Sequence, residues 1–157
     1  MTSRFRSPGM YLAYLLQAAI AFNVLLAVIF KPQDVLIGLS LFLIALLIYV
    51  FSWKTKIMFP WFVYALVSLA VLIHISGYIQ GRYLAFVRWD VLAHTVSGTI
   101  VALIGFLVIL FWDKIKNYNL DAAFIGIFIV FFGCVFEYFW EIWEFCIDTF
   151  LGGSAAG

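Results

Sequence analysis

The sequence predicts an all-α fold, a polytopic membrane helical bundle with five transmembrane helices. Hydrophobic residues make up 67% of the 157 residues and charged residues only 11%, whereas soluble domains are about 45–50% apolar and about 25% charged. Five apolar segments each approach the roughly 20 residues that a helix needs to cross a bilayer. Short polar breaks separate these segments. We therefore predict a single integral membrane domain over residues 1–157.

The five predicted spans follow one another with short connections, at about 11–30, 35–52, 59–79, 91–112 and 122–145. Proline in the break KPQD ends the first helix, because proline lacks the N–H that a helix interior needs. Pro60 suits the first turn of the third helix. The longer connections are QGRYLAFVRWD and DKIKNYNLD, before the fourth and fifth spans.

The distribution of basic residues predicts the orientation. If the spans alternate in direction, one side of the membrane holds Arg4, Arg6, Lys54, Lys56, Lys114 and Lys116. The other side holds Lys31, Arg82 and Arg88. Cytoplasmic loops carry the excess of Lys and Arg. We therefore predict a multi-pass protein of the plasma membrane with a cytoplasmic amino terminus.

Four acids share one face of the last span. At 100° per residue, Glu137, Glu141, Glu144 and Asp148 fall within about 60° of one another. Such a stripe of like charge is unfavourable unless something compensates it. Carboxylates at membrane depth usually mark ion paths, proton relays or binding sites.

Ionisable residues of the third and fourth spans should lie at the same depth in the membrane as the acidic stripe of the fifth. His74 is in the outer part of the third span, and Asp90 and His94 are in the first turns of the fourth. Because consecutive spans alternate in direction, these residues and the acidic stripe converge near the outer face. We predict a shared pocket between the third, fourth and fifth spans.

Glycines with matched spacing suggest how the fourth and fifth spans pack. The four helix-packing candidates are Gly98, Gly105, Gly126 and Gly133. Antiparallel packing of glycine against glycine would let the two backbones approach closely. In that register His94 faces Glu137, and Asp90 faces Glu141.

A divalent metal site is the leading interpretation of the pocket, since a dication would offset the repulsion within the stripe. The predicted ligands are His94, Glu137, Glu141 and Glu144. Asp90, His74 and Asp148 would be outer or variable ligands. Histidine favours Zn, Fe or Mn, while carboxylates suit Mn, Mg or Ca. If the site is catalytic, the metal would activate water in a hydrolase-type reaction, with Glu144 as the general base.

Other interpretations remain open. The same acids could relay protons or cations in a coupled transporter. They could also form a structural network in which Arg82 and Arg88 neutralise nearby carboxylates. The protein would then be a non-catalytic subunit of a larger membrane complex or a homo-oligomer. Nucleic acid is not an expected partner, because the net charge is only +1 and there is no large basic patch.

The motifs RWDVLAHTVSG and FEYFWEIWEFCID together resemble the YjdF-like group of predicted prokaryotic membrane proteins. That group opens one helix with Tyr/Trp-Asp-x-x-x-His-x-x-x-Gly and carries Glu-x-x-Glu on the next. The matching positions are Asp90, His94, Gly98, Glu141 and Glu144. A fainter likeness links the chain to VanZ-like proteins. The resemblance covers roughly the last 85 residues and implies a site without naming a reaction.

The chain departs from this pattern near its carboxyl end. Relatives of this type usually continue with a further acid-rich segment and another hydrophobic stretch. Here the sequence ends in LGGSAAG. If the complete site of the family draws acids from that segment, the resemblance implies that this chain holds a partial site or receives ligands from a partner.

Overall fold

The structure is a computed structural model that describes residues 7–151, which form helices and turns without strands. The helices are α1 (Pro8–Phe30), α2 (Val35–Thr55), α3 (Trp61–Ile79), the short α4 (Arg82–Ala85), α5 (Trp89–Lys116) and α6 (Ala122–Leu151). A 3-10 turn, Pro32–Asp34, precedes α2. Five of these segments are long and apolar enough to cross a membrane. The predicted all-α fold class with five spanning helices is confirmed. The expectations for Arg4, Arg6 and the terminal GGSAAG concern residues outside the described part of the chain.

The helix ends differ from the predicted bounds where polar residues continue a helix. α5 extends beyond the expected end at Trp112 to Lys116, and α6 extends to Leu151. An apolar run marks the part of a helix that suits hydrocarbon, but a helix can continue into the headgroup region. Pro60 precedes the first residue of α3, with φ −56° and ψ 147°, and does not lie within its first turn.

The chain forms two compact units, Met1–Ala93 and His94–Gly157, which are described separately. In the first unit α3 packs against both α1 and α2. One core cluster joins Met10 and Ala13 of α1 to Tyr64 and Ala65 of α3. Tyr64 is fully buried in this cluster.

Polar side chains within the first unit pair across helices. The pairs are Tyr64–Ser52 at 2.7 Å, Ser68–Gln17 at 3.3 Å and Gln80–Asn23 at 2.9 Å. Small polar groups of this kind are typical contacts between helices in membranes, where water is not available to replace them. They fix the rotation of α3 relative to α1 and α2.

The second unit is a helical hairpin whose turn is held by side-chain hydrogen bonds. Asn117 and Asn119 have φ of 52° and 55°, in the left-handed region that asparagine tolerates better than most residues. Asp113 Oδ1 accepts the N–H of Leu120 at 3.1 Å. Asp121 Oδ1 accepts the N–H of Phe124 at 2.8 Å, which caps the first turn of α6. These hydrogen bonds therefore fix the residue at which α6 begins.

The Tyr64–Ser52 hydrogen bond gives the first testable prediction. Tyr64→Phe should lower the free energy of unfolding by about 0.5–1.5 kcal/mol, because it removes the buried hydrogen bond to Ser52 and leaves the ring in place. The measurement is reversible denaturation of the purified protein in detergent micelles. Tyr138→Phe is the matched control, since Tyr138 is 67% exposed and its variant should unfold like the unsubstituted protein. Equal losses in the two variants would contradict the assignment.

Candidate functional site

The acidic stripe lies on one continuous helix. α6 runs from Ala122 to Leu151 without a break, so Glu137, Glu141 and Glu144 fall on successive turns of one face. Their environments differ: Glu144 is buried, with 4% of its surface exposed, Glu137 is partly buried, and Glu141 is exposed.

The second unit brings His94 of α5 to this face. One ligand atom each from His94, Glu141 and Glu144 can be chosen so that all three lie within 4.8 Å of one another. An imidazole nitrogen and two carboxylate oxygens form a donor set typical of divalent cation sites. The three side chains therefore form the candidate site.

Glu137 has a different position from the other two glutamates. Its Oε2 atom lies 3.3 Å from His94 Nδ1, and the two side chains are 38% and 27% exposed. It is not part of the group of three. A carboxylate at Nδ1 fixes the orientation of an imidazole ring and selects its tautomer. The sequence pattern alone did not separate this position from that of Glu141 or Glu144.

The expected pairing of glycine against glycine is wrong for these helices. A Cβ atom built on Gly98 lies 3.2 Å from Glu137 Oε1, and one built on Gly105 lies 2.7 Å from the ring of Phe132. Cβ atoms built on Gly126 and Gly133 meet nothing within 4 Å. Gly98 is thus opposite Glu137, about one helical turn beyond the expected Gly133.

The turn explains this change of register. α5 continues to Lys116 and α6 begins at Ala122. These two helix ends determine which residues of α5 and α6 lie opposite each other farther from the turn. Equal spacing of the glycines on the two helices does not determine which of them face each other. The register that forms brings His94 to Glu141 and Glu144.

The remaining predicted site residues lie in different parts of the chain. His74 is a buried residue of the first unit, with Nδ1 2.9 Å from the Tyr83 hydroxyl. Asp90 is exposed in the first turn of α5, in the first unit, and Asp148 is partly buried on α6. The predicted pocket shared by three spans stays a prediction. The group of three is drawn from α5 and α6 alone.

The second unit has little basic charge near its acids. No Lys or Arg occurs between His94 and Trp112 or between Ala122 and Leu151. Four carboxylates on α6 thus share these two helical segments with a single imidazole. Like charges at i, i+3 and i+4 destabilise a helix unless they are protonated, paired or bound to a cation. A cation at the site would reduce the repulsion among these acids.

The fold and the site together define a multi-pass α-helical membrane protein with a cluster of histidine and carboxylate side chains on two of its spanning helices. Residues 11–157 match the family described as "Predicted membrane protein (DUF2238)". The chain belongs to that family, and the match extends well beyond the carboxyl-terminal motifs. No curated protein and no solved structure matches the chain.

The different surroundings of the glycines give the second prediction. Gly105→Ala should lower the free energy of unfolding by about 1–3 kcal/mol, because the added methyl group overlaps the Phe132 ring. Gly126→Ala and Gly133→Ala should be neutral or stabilising by up to about 1 kcal/mol, since alanine is the better helix former and finds open space. Denaturation in micelles measures all three variants. A larger loss at Gly126 or Gly133 than at Gly105 would contradict the register.

Proposed function

We propose that His94, Glu141 and Glu144 bind a divalent cation within the membrane. The single observation that supports this function is that the ligand atoms of the three side chains lie within 4.8 Å of one another on two adjoining helices. A cation would also offset the negative charge of a stripe that carries no Lys or Arg.

The separation of the donor atoms is compatible with this role. Metal–ligand bonds of about 2.0–2.2 Å place ligand atoms roughly 3–4 Å apart in tetrahedral or octahedral sites. Small rotations of the glutamate side chains are enough to close the remaining difference from 4.8 Å. Both glutamates are held by a rigid helix, so only their side-chain torsions must change.

Glu137 supports the site without joining it. Its carboxylate accepts the Nδ1–H of His94, which leaves Nε2 as the nitrogen that can hold a metal. Histidine ligands almost always donate their other ring N–H to such a partner. We therefore assign Glu137 as the residue that orients His94.

One imidazole and two carboxylates suit Zn, Mn or Fe, and Mg or Ca remain compatible with the carboxylates. The burial of Glu144 favours a ligand over a general base, because a base must reach both substrate and water. Its catalytic role in a hydrolase-type reaction stays a prediction. The proposal concerns cation binding.

The resemblance to the YjdF-like group supports a proposal for the cellular location of the protein. YjdF is a member of the same family, and the motifs that carry the likeness include His94, Glu141 and Glu144. We propose that the protein resides in a prokaryotic cytoplasmic membrane, with lipid as its immediate partner.

The third prediction concerns metal content. The full chain, purified in detergent without chelators, should carry about one divalent cation per chain, and Glu141→Gln should remove most of it because a neutral amide is a poorer ligand. Elemental analysis by mass spectrometry measures both. Asp34→Asn, which removes one negative charge in the first unit, is the control and should retain the metal. Glu137→Gln should weaken binding about 10–100-fold without abolishing it.

Three outcomes would overturn this assignment. Absence of metal from the protein, together with unchanged stability of His94→Ala, would favour a structural network. Equal metal content in the Glu141→Gln and Asp34→Asn variants would place the cation elsewhere. Proton-coupled flux in liposomes without bound metal would instead favour the transporter.

The orientation is the fourth prediction. A reporter fused to the amino terminus should be active in the cytoplasm, because the side that carries Lys54, Lys56, Lys114 and Lys116 has the larger basic charge. A cysteine introduced at position 87 should be labelled from outside the cell by a membrane-impermeant reagent. Val87 is 98% exposed within the protein, so no neighbouring residue covers a cysteine at this position. Labelling only after the cells are opened would reverse the orientation.

A further inference from the structure

We propose that a groove in the first unit binds the headgroup of an anionic phospholipid, with Arg82 contacting the phosphate. This site is separate in sequence from the candidate metal ligands, and its residues all belong to Met1–Ala93. The proposal therefore stands or falls independently of metal binding.

The groove is a cavity of about 360 Å³ between α1, α3 and the segment that follows α3. Its size is within the range of sites for small ligands. Its lining combines polar side chains with apolar ones. The polar residues include Asn23, Gln80 and Arg82, and the apolar residues include Phe22, Leu69 and Leu72.

The guanidinium group of Arg82 is held in place by two contacts. Its Nε donates to Gln80 Oε1 at 2.9 Å, and its Cζ lies 4.9 Å from the centre of the Trp89 ring. Gln80 Nε2 in turn donates to Asn23 Oδ1 at 2.9 Å, and Asn23 Nδ2 donates to the carbonyl of Ala19 at 2.9 Å. A chain of hydrogen bonds thus runs from α1 to the guanidinium.

These contacts leave the terminal N–H groups of Arg82 available. Within the described residues of the first unit, no carboxylate pairs with Arg82. The edge formed by its two terminal nitrogens presents parallel donors, a geometry that matches two oxygens of one phosphate. A fixed cation with this geometry is suited to an anionic, bidentate ligand.

The segment around Arg82 also carries exposed apolar side chains. Leu84 is 94% exposed, Val87 98% and Phe86 59%, and they flank the groove in sequence. Apolar side chains between two arginines are typical of chain that lies at the level of the lipid headgroups. At that depth the lipid phosphate can accept hydrogen bonds from Arg82 while the acyl chain packs against Phe22, Leu69 and Leu72.

The combination of a fixed cation with an apolar wall selects the ligand class. A soluble phosphate would use Arg82 but not the apolar residues. A zwitterionic lipid such as phosphatidylcholine would use the wall, but its choline cation would lie beside the guanidinium and repel it. An anionic phospholipid uses both.

Native mass spectrometry of the full chain in detergent micelles tests this proposal, with phosphatidylglycerol and phosphatidylcholine of identical acyl chains as probes. The unsubstituted protein should retain phosphatidylglycerol in preference to phosphatidylcholine. Arg82→Gln should weaken retention of phosphatidylglycerol about tenfold or more, because it removes a charge-assisted pair of hydrogen bonds. Arg88→Gln, with the same change in charge at an exposed position outside the groove, should retain it.

Two further variants protect the test against misfolding. Arg82→Lys keeps the charge but loses the parallel donors, so its retention should fall between those of the unsubstituted protein and Arg82→Gln. Ala19→Phe fills the groove without a change in charge and should also reduce retention.

Three results would overturn the lipid site. Equal losses in Arg82→Gln and Arg88→Gln would show general attraction between charges. Equal retention of the two lipids by the unsubstituted protein would show that the net negative charge of the headgroup has no role. Displacement of phosphatidylglycerol by an equal concentration of glycerol phosphate would show that a water-soluble phosphate is the ligand.

Discussion

A polar group in hydrocarbon needs a hydrogen-bond partner inside the protein, and this constraint explains the polar side-chain contacts between helices. The bilayer core contains no water that could replace a missing hydrogen bond. In the first unit the constraint pairs Tyr64 with Ser52 and Gln80 with Asn23 across helices. In the second unit it brings His94 to Glu137. The helices are thereby fixed in rotation, which apolar packing alone leaves less defined.

The same constraint is the reason why the acidic face of α6 is a candidate functional site. A structural hydrogen bond needs one acceptor, but this face offers three glutamates at successive turns and adds His94 from α5. The buried position of Glu144 makes a charge there costly unless it is compensated. A cation shared by several carboxylates would meet that requirement for all of them at once.

The sequence predicted the five long helices, the residues of the candidate site and the contact of His94 with Glu137, but not the packing of the glycines between the two helices of the hairpin. Apolar length identifies a spanning helix directly, and i, i+4, i+7 spacing identifies one face. Register has no such local signal, since it depends on the residue at which each helix ends beside the turn. The distinct role of Glu137 follows from that register. The groove beside Arg82 was missed for a related reason: Asn23 and Gln80 are 57 positions apart, and only the packing of α1 on α3 joins them.

The turn between α5 and α6 has a consequence for how this family can vary. Its two left-handed asparagines and the capping carboxylate of Asp121 determine where α6 starts. Each residue added to a helix rotates all that follows by about 100°. The length of α6 ahead of Glu137 and the composition of its acidic face are therefore coupled, so an insertion there would require the carboxylates to move to new sequence positions to remain opposite His94.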